Sequence, residues 1–205
     1  MIDLSGIFIQ THTNKKFYFD DFNEKDICIE DIAHALSNLC RFTGHSKYFY
    51  SVAQHSYYCS KLAEHMNFGP KIQLKCLLHD AAEFVIGDVS RPIKRILKSS
   101  GELLKIEDRI MSLILQKWLG SDEYYFDNIV KKIDNIMLNK EANILFSKAP
   151  KEMGWQDQVE EIDLERANKI KIRSWVFPGI AKQIFLDRFN ELVKKIAREY
   201  AFKIP

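Results

Sequence analysis

A mostly all-α fold with a small N-terminal β-hairpin is predicted by three features of this 205-residue chain. Apolar residues recur at helical spacing from residue 29 onward. Breakers divide that text at Thr43-Gly44, Gly69-Pro70, Gly87-Asp88, Gly120-Ser121, Pro150 and Pro178-Gly179. Only the first 28 residues carry β-forming runs.

The hairpin is expected within Gly6–Phe19, where Ile7, Phe8, Ile9 and Phe17, Tyr18, Phe19 flank the polar turn Thr13-Asn14-Lys15-Lys16. An isolated hairpin is marginal, so it should lie on the helical body. An acidic linker follows with Asp20, Asp21, Glu24 and Asp26. Helices are predicted over Ile29–Cys40, Tyr48–Met66, Lys71–Ile86, Gly101–Leu119, Tyr124–Lys148, Leu164–Val176 and Gly179–Tyr200. Trp155, Trp175, Phe177, Phe185 and Phe189 read as packing of the last helices on the core. There is no repeat and no linker rich in Ser and Gly, so residues 1–205 read as one domain, with 1–28 as hairpin and linker.

Composition narrows the function classes. Hydrophobic residues make up 46% and charged residues 28%, which is globular and excludes disorder. A net charge of +2 is too balanced for a protein that coats nucleic acid by charge. Cys28, Cys40, Cys59 and Cys76 form no C-x-x-C pair, so no zinc ribbon or redox motif is encoded. They read as small apolar residues in a reducing compartment. MIDLSGIFIQ lacks the features of a signal peptide, and no apolar stretch approaches a membrane span. A cytoplasmic location, or the host cytoplasm for a phage-encoded chain, is the expectation, with no nucleic-acid or membrane partner.

Chemistry concentrates in KIQLKCLLHDAAEFVIGD. Leu74, Leu77, Leu78, Ala81, Ala82 and Val85 form a helical stripe, and His79, Asp80 and Glu83 sit inside it. Glu83 is one turn from both His79 and Asp80. Such groups beside an apolar stripe are costly unless paired or metal-bound. In the preceding helix, Val52, His55, Cys59, Leu62 and Met66 form one stripe, so His55 faces the core. Alone it reads as a satisfied core histidine; beside His79-Asp80, a shared cation explains it better. Asp134 lies next to the stripe Val130, Ile133, Met137, Ile144, Leu145, where an unpaired buried carboxylate would be expensive.

His55, His79, Asp80 and Asp134 together make a set of two nitrogens and two oxygens. That set suits Mn, Co, Zn, Fe or Ni ions better than Mg or Ca. Four protein ligands leave two positions on an octahedral ion, which is a hydrolytic arrangement.

With those residues in place, the order His55, His79-Asp80, Asp134 resembles the HD-domain metal-dependent phosphohydrolases. IEDIAHALSNLCRFTGHSKYFYSVAQHS and LLHDAAEFVIGDVSRPIK are similar to a subgroup of that family that includes the phage dATP triphosphohydrolases and bacterial 5′-deoxynucleotidases, and the N-terminal hairpin and WVFPGIAKQIFLDRFNEL resemble its phage-type members. The resemblance implies an HD-domain helical bundle. It implies that the four residues are metal ligands and that Glu83 directs or deprotonates the attacking water. It implies that Asp88 is a catalytic acid, Arg41 contacts phosphate or sugar, Lys94 and Lys131 bind phosphate, and Phe42 meets the base, where deoxynucleotidases carry Trp. The implied substrate is a small-molecule deoxynucleotide. A dNTP triphosphohydrolase releasing deoxynucleoside and triphosphate leads; a 5′-deoxynucleotidase and a non-catalytic nucleotide sensor are the alternatives. A homo-oligomer is expected.

The residues keep other readings open. Arg41 ends a helix, where a cation also suits the dipole. Lys131 alone reads as a surface lysine, and Phe42 as either a stacking platform or a core plug. Glu141 reads as a structural partner for a nearby cation. His34 either braces Arg41 or packs in the core. His45 lies near the pocket rim, and His12 and His65 read as solvated.

Overall fold

The computed structural model describes residues 4–97, 101–120, 128–155 and 159–201. Two three-residue strands, β1 (Phe8–Gln10) and β2 (Lys16–Tyr18), pair antiparallel with Ile9 opposite Phe17. Nine α-helices follow among the described residues: α1 (Ile29–Asn38), α2 (Val52–His65), α3 (Pro70–Leu78), α4 (Glu83–Ile86), α5 (Arg91–Leu97), α6 (Glu102–Leu119), α7 (Asn128–Leu145), α8 (Glu161–Asn168) and α9 (Pro178–Ala201). The fold is mostly helical with a small N-terminal hairpin, as the periodicity predicts. Among the described residues, no helix is long and apolar enough to cross a membrane.

The hairpin docks through specific groups. Phe17 is buried against Phe22 and Phe84. The Thr13 amide and hydroxyl donate to the buried Asp31 of α1 at 2.7 and 2.8 Å. His34 stacks on His12 of the hairpin turn, with centroids 3.6 Å apart. It therefore braces the hairpin rather than Arg41.

α2 is the central helix. It packs against α1, α3, α7, α8 and α9, and is buried on almost every side rather than along one stripe. Ala53, Ser56, Ser60 and Ala63 lie on it among the buried residues, and their small size lets neighbours approach closely. Its start moves from the expected Tyr48 to Val52. Ser51 and Gln54 form a capping box, each side chain taking the other's amide. The residues before it are extended and pair with the end of the α1 segment: the Arg41 amide donates to the Tyr50 carbonyl at 2.8 Å, and Val52 to Leu39 at 3.1 Å. This pairing brings Arg41 to the mouth of α2.

The expected helix Lys71–Ile86 is broken. From Leu78 to Val85 the backbone bonds tighten to i, i+3 spacing, with Ala81 on Leu78, Glu83 on Asp80 and Val85 on Ala82. The cause is local. His79 Nδ1 lies 2.9 Å from the Cys76 carbonyl, competing for a helical acceptor, and the Ala82 amide turns to Met111 Sδ at 3.3 Å. Gly87 then ends α4 at φ 79° and ψ 164°, a region essentially reserved for glycine. The further helix α5 was not anticipated.

The predicted helix Leu164–Val176 is displaced to α8, and Lys169–Phe177 is irregular. Side chains satisfy its backbone instead: Lys140 Nζ donates to the Ala167 and Ile170 carbonyls, Gln54 to the Arg173 carbonyl, and the Arg173 amide to Tyr58 Oη. Of the aromatics expected to pack, Phe185 and Phe189 are buried but Trp175 and Phe177 are exposed against one another. Ile144 of α7 is also exposed. The predicted start of the helix before Asp134, at 124–127, lies outside the described residues.

Candidate metal centre

Three elements converge on one point. His55 comes from the first turn of α2, His79 and Asp80 from the break between α3 and α4, and Asp134 from α7. His55 Nε2 is 3.2 Å from His79 Nε2, 3.1 Å from Asp134 Oδ1 and 3.8 Å from Asp80 Oδ2. His79 Nε2 is 3.2 Å from Asp80 Oδ2 and 3.8 Å from Asp134 Oδ1. Donors about 2.1 Å from a common ion stand roughly 3.0 Å apart at right angles and roughly 3.4 Å apart at tetrahedral angles. Three of the separations, 3.1, 3.2 and 3.2 Å, fit that range, and the two at 3.8 Å correspond to a wider angle of roughly 130°.

The tautomers fit as well. A carbonyl only accepts, so the contact with Cys76 places a proton on His79 Nδ1 and makes Nε2 the ring atom that faces the cluster. His55 Nδ1 lies 2.8 and 3.0 Å from the two oxygens of the buried Glu141, which does the same for His55. The two imidazole side chains are nearly or fully buried, and those of Asp80 and Asp134 are 21% and 20% exposed, so the cluster opens to solvent on its carboxylate side.

Cys59, one turn after His55, also reaches the cluster, with Sγ 3.5 Å from His55 Nε2. His55, Cys59 and His79 place donor atoms within 4.8 Å of one another, a group able to hold a metal ion. Burial, with Asp134 and Glu141 close by, pushes the thiol pKa well up and keeps it neutral.

Electrostatics separate the carboxylates. Burial disfavours ionised Asp80 and Asp134, but the histidines, and Arg41 beside Asp80, overcome it and hold both below the usual carboxylate range. Burial also opposes charge on His79, and Asp80 and Asp134 raise its pKa well above the ordinary value. Glu83 goes the other way: burial, then Asp80 and Asp88, push it well up. Its Oε2 is buried with no hydrogen-bond partner among the described residues. The half-buried Asp88 is also raised by burial, against Arg41.

Cations ring the cluster. Arg41 Nη1 is 3.3 Å from Asp80 Oδ2. Burial weighs against its charge, but Glu141 and Asp80 outweigh burial and hold it firmly protonated. Lys94 Nζ lies 2.7 Å from Glu107 Oε1 and 3.7 Å from Glu83 Oε1. Arg91, missed in the sequence, donates to Asp134 Oδ2 at 2.6 Å. Tyr50, Glu107 and Cys59 were missed too. Only Cys59 had a signal, its spacing of four from His55.

Two predicted substrate residues sit differently. Lys131 is exposed on α7. Phe42 is half-buried, edge-on to Phe146 with centroids 5.1 Å apart and 6.5 Å from Trp155, and its ring lies 5.5 Å from the Arg41 guanidinium. Phe42 and Thr43 both adopt left-handed backbone, φ 56° and 53°, a strained pair directly after Arg41.

No family model matches the chain. It is 36% identical over 191 residues to the uncharacterized protein YfdR of Escherichia coli K12, covering 90% of this chain and 95% of that protein. It is 38% identical over 93 residues to the uncharacterized protein RCAP_rcc00048 of Rhodobacter capsulatus, covering 43% of this chain and 46% of that protein.

Proposed function

The chain belongs to the family of Escherichia coli YfdR, and we propose that it is a divalent-metal-dependent phosphohydrolase of the HD-domain type acting on deoxynucleotides. The observation that carries this reading is the spacing of four donors, His55, His79, Asp80 and Asp134, beside a buried carboxylate with a free oxygen, Glu83.

His55, His79, Asp80 and Asp134 would hold the ion, of the Mn, Co, Zn, Fe or Ni group. Cys59 is the weaker candidate. Its sulfur is nearly equidistant from both nitrogens of the His55 ring, at 3.8 and 3.5 Å, so it lies over the ring face and off the Nε2 lone-pair axis. When bound, the ion supplies Lewis acidity toward a phosphate oxygen and a water. In its ionised form, which Lys94 at 3.7 Å from Oε1 favours, Glu83 takes the proton of that water on its free oxygen. Lys94 beside it holds the carboxylate in place. Arg41 neutralises charge developing on phosphate. Asp88, whose pKa is raised by burial, donates a proton to the leaving oxygen.

Arg41, Arg91 and Lys94 around one cluster suit a polyanion, which favours a triphosphate over a monophosphate substrate. A panel of dNMPs and dNTPs with Mn²⁺ or Co²⁺, products resolved by anion exchange, tests this. Tripolyphosphate from a dNTP is the expected product. Inorganic phosphate from a dNMP makes it a nucleotidase, and no product from any substrate makes it a sensor.

A further inference from the structure

The geometry points to Glu141 as a positioning residue that ties the metal ligand His55 and the phosphate-facing Arg41 to a single buried carboxylate. The inference rests on the phosphohydrolase reading above. Glu141 lies on α7 two turns after Asp134 and is fully buried. Both its oxygens meet His55 Nδ1, at 2.8 and 3.0 Å. The Tyr50 hydroxyl donates to Oε1 at 2.8 Å. Arg41 Nε stands 3.5 Å from Oε2 and has no hydrogen-bond partner among the described residues.

A carboxylate enclosed in this way is expensive unless each contact compensates for lost hydration. Three groups from three places do so: the first turn of α2, the turn after α1, and the extended segment before Ser51. They are not independent, because the Arg41 amide bonds the Tyr50 carbonyl at 2.8 Å. On the His55 side, the carboxylate fixes the proton on Nδ1, aims Nε2 into the cluster and strengthens it as a donor. On the Arg41 side, it faces Nε while Nη1 reaches Asp80. A guanidinium held along one edge leaves its remaining donors for a ligand. Ligand and brace also share one helix, since Asp134 and Glu141 are both on α7, so a shift of that helix moves them together.

One substitution should therefore weaken metal and substrate binding separately. In the full-length chain, Glu141→Gln keeps an acceptor of the same shape and removes the charge. Isothermal titration with Co²⁺ alone should show a Kd about 10- to 100-fold weaker than the parent's. At saturating Co²⁺, kcat should recover while the dNTP KM stays raised by about tenfold, the Arg41 signature. A Co²⁺ Kd equal to the parent's overturns the inference, as does a lost kcat with an unchanged KM. A variant that fails to fold leaves a measurement on the parent. In the Zn²⁺-loaded chain, a nitrogen–proton correlation should show a slowly exchanging, strongly downfield His55 Nδ1–H; a solvent-exchanged proton there overturns the inference. If the parent binds Co²⁺ but hydrolyses no nucleotide, the phosphohydrolase reading fails, and the Kd difference alone still decides the role of Glu141.

Discussion

The Nε2 atoms of His55 and His79 face one another at 3.2 Å. Each ring has its Nδ1 engaged elsewhere, by Glu141 and by the Cys76 carbonyl. With both Nδ1 atoms so engaged, Nε2 is the ring atom that each histidine presents to the cluster, beside the carboxylates of Asp134 and Asp80.

Metal should stabilise the folded chain. At a free Co²⁺ concentration 100 times Kd, linkage contributes about 2.7 kcal/mol. For a chain of this size that raises Tm by roughly 5–10 °C. Thermal denaturation with Co²⁺ and with EDTA measures it; superimposable curves reject a metal site.

Asp80→Ala should lose bound metal and turnover together. It removes a charged donor and leaves Arg41 Nη1 without its carboxylate. The aliphatic core around Leu74, Leu77 and Leu78 is untouched, so the variant should still melt cooperatively. Elemental analysis showing a full complement of metal would reject the four-ligand set.

Glu83→Gln should retain metal and lose roughly 10² to 10⁴ in kcat, the range of a general acid–base group. An unchanged kcat with a raised KM would make Glu83 a binding residue instead.

Phe42→Ala tests a change of role. The contacts with Phe146 and Trp155 make the ring part of a packed cluster, so truncation should cost about 1.5–3 kcal/mol of stability. Urea denaturation beside steady-state kinetics decides it. An unaltered midpoint with a tenfold higher KM would assign the ring to the base.

The pH dependence of stability has one tractable contributor far from the cluster. Hydrogen bonds from Lys195, then Arg188, lower the pKa of Glu191 to about 2 from its ordinary value of 4.5. A depressed carboxyl stabilises above its unfolded pKa, and the contribution fades as pH falls from about 4.5 through about 2. The side chain is 43% exposed, so screening keeps the effect below about 1 kcal/mol. Glu191→Gln should lower the urea midpoint slightly at pH 6 and match the parent near pH 2; equal midpoints throughout would remove the assignment.

Helical class, the hairpin and the positions of five of the helices, α1, α2, α6, α7 and α9, were readable from the sequence alone, because 3.6-residue periodicity and Gly or Pro breakers act over a few residues. So were the residue types of the cluster, since a histidine within an apolar stripe and a histidine–aspartate pair beside another are locally anomalous. Local pattern failed where a side chain from elsewhere changed the backbone's options. The helix expected over Lys71–Ile86 breaks because His79 takes the Cys76 carbonyl and Met111 takes the Ala82 amide. The residues after Asn168 stay irregular because Lys140, Gln54 and Tyr58 satisfy them. Only the tertiary structure brought Arg91 to Asp134 and Tyr50 to Glu141, pairs separated by 43 and 91 residues. Polar pairing across such spans leaves no periodic trace in a sequence: it depends on which helix faces pack together, and that is decided by the sum of burial over the whole core.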